Sequence, residues 1–355
     1  MNGETVKGCE HCYGQVNREV GSRYYEAFSR DYANQVDAII ESTESDGSTT
    51  FVPQDFDYRT SLCNLSCKTC CADSSSSISA HSNRSAGKKV FPIVNYKDSF
   101  SRQWDDAKKL LTPETRAMYW AGGEPTMNPI YWKTLSYLEE NGWFDIKMNY
   151  HINLMTLNKE EIYQKALKNF ELFNSHVNVS LDGMGQVGEY VRNGLNWELF
   201  DQLYSRLIND GKRTTFIIDV TMTNLTFLQL PDLLRYAISK NGRIEFKAMF
   251  ESPGISQDGI YHNYNKFLSL NLINQDTFDR IALEVEEILN CNQLITNLPN
   301  FMEFVKETHE PRFMTHEDNV ACEQMEERHG NTISLIQIIR DQSLVSLSAN
   351  ALANS

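Results

Sequence analysis

From about residue 56 onward, short apolar runs alternate with longer amphipathic segments, and this alternation governs the reading of the chain. The runs predict strands at Phe56–Leu62, Ala117–Ala121, Ile146–Leu154, Val177–Leu181, Thr215–Thr223 and Arg243–Phe250. Between them, helical spacing predicts helices at Ile130–Asn141, Lys159–Asn169, Trp197–Asn209 and Leu228–Ser239. Strands that alternate with helices of this length imply parallel β-α units, arranged as a partial barrel or an open doubly wound sheet. Periodicity does not choose between the two. In both, ligands gather at the carboxyl ends of the strands, where the following loops converge.

The flanks read differently. Residues 1–54 form a helical preface, in which Tyr25, Phe28, Tyr32, Val36, Ile39 and Ile40 recur at helical spacing before the turn-rich ESDGSTT. The serine-rich stretch Ser74–Ser77 and the residues up to Tyr96 read as a loop or irregular helix. After Pro253 the strand pattern stops, and residues 251–355 read as mainly helical, with Phe278–Cys291 the clearest helix. The small and polar residues from about Ser343 predict a frayed end.

Bulk properties narrow the function classes. The chain has 355 residues, 41% hydrophobic and 23% charged, enough to bury a sizeable core. Its formal net charge of −14 argues against a nucleic-acid-binding surface. No apolar run approaches the ~18 residues of a membrane span, and MNGETVKGCEHC carries no apolar signal core, so a cytoplasmic protein is expected. The eight cysteines (9, 12, 63, 67, 70, 71, 291 and 322) read as metal ligands and free thiols rather than disulfides in that compartment.

Three of them form a tight group. In CNLSCKTC, Cys63, Cys67 and Cys70 lie in one loop directly after the first strand. Thiolates so spaced let one loop wrap an iron–sulfur cube, and three ligands leave one iron open. A zinc site would normally draw on two separated ligand pairs, which this loop lacks. Cys71 is expected to point away as a free thiol.

Other motifs fall at later strand ends. The second strand runs into Gly122-Gly123-Glu124-Pro125, where two glycines permit close approach of a ligand and Glu124 or the backbone carbonyls could accept from an ammonium group. The fourth strand ends at Ser180-Leu181-Asp182-Gly183, with Ser180 and Asp182 on one side and able to bond hydroxyls. Asn153 ends the third strand in HINLMT, Asn224 follows the fifth, and Tyr190-Val191-Arg192-Asn193-Gly194 follows SLDG.

Together these motifs resemble the radical S-adenosylmethionine superfamily over residues 55–250. The resemblance implies a partial (β/α)6 TIM-like barrel with a helical N-terminal preface and a mainly helical, twitch-like C-terminal extension, giving domains at 1–54, 55–250 and 251–355. It implies a [4Fe-4S] cluster on Cys63, Cys67 and Cys70. S-adenosyl-L-methionine would be bound through Gly122, Gly123 and Glu124 at its amino group, Ser180 and Asp182 at the ribose hydroxyls and Arg192 at its carboxylate, with Asn153 as a further cofactor contact. Ile152 stands where relatives have threonine, which loosens the match at Asn153.

The flanking GCEHCY resembles the segment before the core in a twitch group whose further upstream cysteines have no counterpart here. An auxiliary cluster on Cys9 and Cys12 with Cys291 or Cys322 is therefore the less expected outcome. The resemblance also implies reductive cleavage of the cofactor, a reductant such as flavodoxin or ferredoxin, and a peptide or protein substrate. Two other classes stay open: an iron–sulfur electron-transfer or sensor protein, and a non-catalytic scaffold.

Overall fold

The structure is a computed structural model and describes residues 32–52, 54–87, 96–248 and 266–329. The chain divides into two compact units, Met1–Gln54 and Asp55–Ser355. In the first, a 3-10 turn (Ala33–Gln35) leads into α1 (Val36–Glu41), and Thr43 bridges Thr49 beyond it. Most of the expected N-terminal helix, together with Cys9 and Cys12, lies outside the described residues.

The second unit is built on six parallel strands: β1 (Asp55–Thr60), β3 (Ala117–Gly122), β4 (Lys147–Ile152), β5 (Asn174–Ser180), β7 (Thr215–Met222) and β8 (Arg243–Ala248). Each pairs with its sequence neighbour in the order β1-β3-β4-β5-β7-β8, and all five ladders are parallel. A doubly wound sheet reverses its strand order at a switch point. This one never does, so it winds in one direction as a barrel sheet does. It stays open because β1 and β8 occupy its two edges. The six expected strands are all present, and the partial (β/α)6 arrangement is the correct alternative. A separate antiparallel pair joins β2 (Ser66–Cys67) to β6 (Arg192–Asn193).

The two sheet faces differ because side chains alternate along each strand. Met118, Trp120, Met148, Tyr150, Val177, Val179, Ile218 and Val220 form one wholly buried face. Helices α4 (Pro129–Glu140) and α5 (Glu160–Leu172) cover it, with Tyr131 edge-on to Trp120 at 5.2 Å and Phe170 against Tyr150 at 5.1 Å. The opposite face is polar. There His151 Nδ1 meets Asp219 at 3.0 Å, Asn178 meets His151 Nε2 at 3.2 Å, and the Lys247 ammonium donates to Asp219 at 2.6 Å. Burial acts to raise the Asp219 carboxyl, but His151 and Lys247 outweigh it and hold the group below the usual range.

Two helices escaped the sequence reading: α2 (Ser76–Ser85), foreseen only as irregular, and α3 (Tyr96–Leu110). Short α6 (Gly185–Val191), α7 (Trp197–Asp210), α8 (Asn224–Leu228) and α9 (Leu230–Ser239) follow along the chain. Residues 266–329 are mainly helical as expected, with α10 (Gln275–Cys291), α11 (Leu298–Thr308) and α12 (His316–His329), all within the same compact unit as the sheet; the rest of 251–355, including the end expected to fray, lies outside the described residues.

Candidate functional site at the cysteine loop

The cysteine loop leaves β1 with Cys63, Leu65 and Cys67 packed into the main apolar core, and serines hold its backbone. The hydroxyls of Ser76 and Ser77 donate to the Cys63 carbonyl, and Ser75 Oγ donates to the Leu65 carbonyl at 2.8 Å. Ser75 also accepts from the Ile78 amide and so caps α2. The serine run that looked featureless is thus a cap and a clamp for the loop. Cys63 and Cys67 are buried, and Cys70 is partly so. Burial first, then the neighbouring Cys67, pushes the Cys63 thiol up to about 12. Burial likewise raises Cys67. Cys70 rises through its bond toward Cys71 and through burial, with Cys67 and Cys63 adding to it. Cys70 thus senses both of the other loop thiols, and Cys63 senses Cys67. Cys71 turns its sulfur to Ser74 Oγ at 3.5 Å.

The later strand ends converge on this loop. The Glu124 amide donates to the Leu62 carbonyl at 2.6 Å. Gly122 adopts φ +78°, and a Cβ there would lie 2.6 Å from the Thr60 oxygen; one at Gly123 would lie 2.1 Å from the Leu62 oxygen. Both glycines are thus needed for β3 to run beside the lead-in to Cys63. The Glu124 carboxylate is fully buried and bonded within the chain: Oε1 accepts from the amide and hydroxyl of Thr126, and Oε2 from the Asn153 amide at 2.7 Å. Burial raises its pKa in spite of these donors. The Asn153 side chain donates to Asn64 at 2.9 Å and reaches Cys63 Sγ at 4.0 Å.

Arg192 comes to the site through the β2–β6 pair, whose register sets it opposite Cys67. Its Nη1 donates to Asp182 at 2.8 Å, while its buried Nε has no partner. Burial opposes the charge, but Cys67 and Asp182 outweigh it and raise the guanidinium pKa further. Asp182, wholly buried, also accepts from the Thr221 amide at 2.8 Å, and burial acts to raise its carboxyl. Ser180 is half-buried at the end of β5, in register with Asp219. Asn224 turns away, donating to the Phe267 carbonyl.

Sequence reasoning missed Lys68, which lies between two of the cysteines yet is 1% exposed. Its ammonium donates to the Tyr190 carbonyl at 2.7 Å and sits 3.9 Å above the Tyr190 ring, and burial lowers its pKa to about 7. Nothing in the local pattern signals this. The ring arrives from α6, more than a hundred residues away.

Among the described residues, no three His, Cys, Asp or Glu side chains gather as they would around one metal ion. A cubane makes a different demand, since each thiolate takes its own iron at a separate corner. The donor set fits such a group: three thiols on one loop, with Cys70 feeling the charge of both others, and a buried guanidinium nitrogen on the residue paired with Cys67, with a bond still to make.

No family model and no curated protein matches the chain. Among solved structures, it is similar to Streptococcus suis SuiB bound to S-adenosylmethionine, with a TM-score of 0.45 and 16% identity over 76% of this chain and 53% of that one. It is also similar to anSMEcpe with bound AdoMet, with a TM-score of 0.44 and 18% identity over 74% and 68% of the two chains. The chain thus spans about half the length of SuiB. At these scores the likeness carries no weight.

Proposed function

We propose that the chain is a radical S-adenosylmethionine enzyme with a [4Fe-4S] cluster on Cys63, Cys67 and Cys70. The observation that supports it most is convergence: β3, β4 and the segment after β5 each send a residue to the three-cysteine loop, at the strand ends where such folds bind ligands. When bound, the cluster and cofactor supply one-electron cleavage of a carbon–sulfur bond, giving methionine and a 5′-deoxyadenosyl radical that takes hydrogen from a substrate. The chain's own part is orientation. Since both Glu124 oxygens are bonded internally, the cofactor's amino group is assigned to the Gly122-Gly123 backbone, and its carboxylate to Arg192, whose Nε has a donor to give.

Among the described residues no helix is long and apolar enough to cross a membrane. We assign the enzyme to the cytoplasm, with a flavodoxin- or ferredoxin-type reductant and a peptide or protein substrate. The test is anaerobic reconstitution, followed by reduction with dithionite and chromatographic detection of 5′-deoxyadenosine from S-adenosylmethionine. Product is expected. A cluster without product would make the chain an electron carrier or sensor; zinc, or no metal at all, would end the proposal. Cys67→Ala should lose the cluster and Cys71→Ala should keep it, read as iron and sulfide content. Arg192→Ala should keep the cluster and bind S-adenosylmethionine more weakly.

A further inference from the structure

The last described helix, α12, reaches the back of the cysteine loop. Glu326 on this helix accepts from the Tyr190 hydroxyl at 2.9 Å, with Cys322 Sγ 3.8 Å from both groups. Tyr190 opens a three-residue brace against the loop. Its own carbonyl and ring hold the Lys68 ammonium, the Val191 carbonyl accepts from the Lys68 amide at 2.8 Å, and Arg192 faces Cys67. Around this chain lies a small apolar core of its own, made by Val187, Tyr190, Val191, Leu225, Phe267 and Met325 among others, apart from the main core. The same helix also meets the loop's other support. Glu327 accepts from Ser85 Oγ at 2.7 Å, at the far end of the helix whose serines hold Cys63 and Leu65.

From this geometry we infer that Glu326 is a positioning residue for the cysteine loop, acting through Tyr190 on Lys68 and Cys67, so that the C-terminal helix is part of the cluster-holding apparatus. The arm through Tyr190 carries the effect because it is buried. The Ser85–Glu327 contact is exposed and contributes little. Beside Tyr190, Glu326 meets the Cys322 thiol of its own helix, and it takes no part in the chemistry; it fixes where the loop stands. The inference rests on the cluster reading for its meaning but not for its test.

The test is amide hydrogen exchange on the apo protein at residues 63–71, with the amides of β5 as internal reference. In Glu326→Ala, the Tyr190 hydroxyl loses its charged acceptor. The amides of Cys67 and Lys68 should then exchange roughly tenfold faster or more, with β5 unchanged. Glu326→Gln retains an acceptor oxygen and should stay close to wild type. Glu323→Ala, exposed on the same helix, should do nothing. Unchanged exchange at Cys67 and Lys68 in Glu326→Ala would overturn the inference, as would acceleration spread evenly into β5. Iron content after anaerobic reconstitution provides the second readout and should fall in Glu326→Ala and recover in Glu326→Gln. If the wild type takes up no cluster, the proposed function fails while the exchange pattern still decides this inference.

Discussion

Two carboxylates, Glu124 and Asp182, end neighbouring parts of the same sheet, and both are completely buried. They solve that burial in opposite ways. Glu124 accepts from neutral donors, two backbone amides and one hydroxyl, and among the described residues a cation, Arg192, acts on it only through space. Asp182 has one amide and a guanidinium. The first is a knot tying the ends of β3 and β4. The second holds a cation beside the thiols, with one nitrogen left to give. A buried acid inside a motif can thus be framework or site, and its partners distinguish the two.

The largest effect should come from breaking the charged pair. Asp182→Leu leaves the Arg192 guanidinium buried without its counter-ion and should cost about 3–5 kcal/mol in urea denaturation of the apo protein. Removing both members, as Asp182→Leu with Arg192→Met, should recover a good part of that loss, because an apolar pair carries no desolvation penalty. If the double variant is as unstable as the single, Asp182 is a framework residue like Glu124, and the contrast fails.

Glu124→Gln sharpens the other side. The amide keeps the shape but turns an NH₂ toward donors that need an acceptor, so a loss of about 1–3 kcal/mol is expected. No second substitution should rescue it, because two of its three donors are backbone amides. Near-neutral behaviour would mean that the knot does not depend on the charged form.

How far this was legible follows from what each feature depends on. The six strands could be read because each is a short local run or alternation of apolar residues. The choice of a singly wound sheet could not be read from periodicity, since strand order is a long-range property. The loop cysteines were visible from their spacing. The binding of Glu124 to the Asn153 amide was not, because that amide arrives 29 residues later from another strand. Helix α2 hid because only Ile78 and Ser82 along it are buried, and its stability comes from the Ser75 cap rather than from an apolar stripe. The Lys68–Tyr190–Glu326 chain joins three distant segments through one ring, and no local window contains it.

Asp219 gives the smallest and most discriminating test, because it combines both strategies one step down the polar face. It is nearly buried like the other two, but its partners are His151 and the half-exposed Lys247. Here the partners outweigh burial, and the folded pKa lies below the ordinary value of 3.8. A depressed carboxyl favours the folded state above its unfolded pKa, and this contribution is lost as the pH falls through the lower folded value. Asp219→Asn should therefore be less stable than wild type by about 1 kcal/mol at neutral pH, with the gap closing progressively below about pH 4. Glu124→Gln should behave differently. Its carboxyl is raised, so the charged form opposes folding at neutral pH and that opposition fades as the pH falls through the raised folded value toward the unfolded one. The wild type should accordingly gain on Glu124→Gln on acidification and lose on Asp219→Asn. Parallel pH profiles for the two variants would show that burial alone, and not the charge of the partners, sets how this sheet treats its acids.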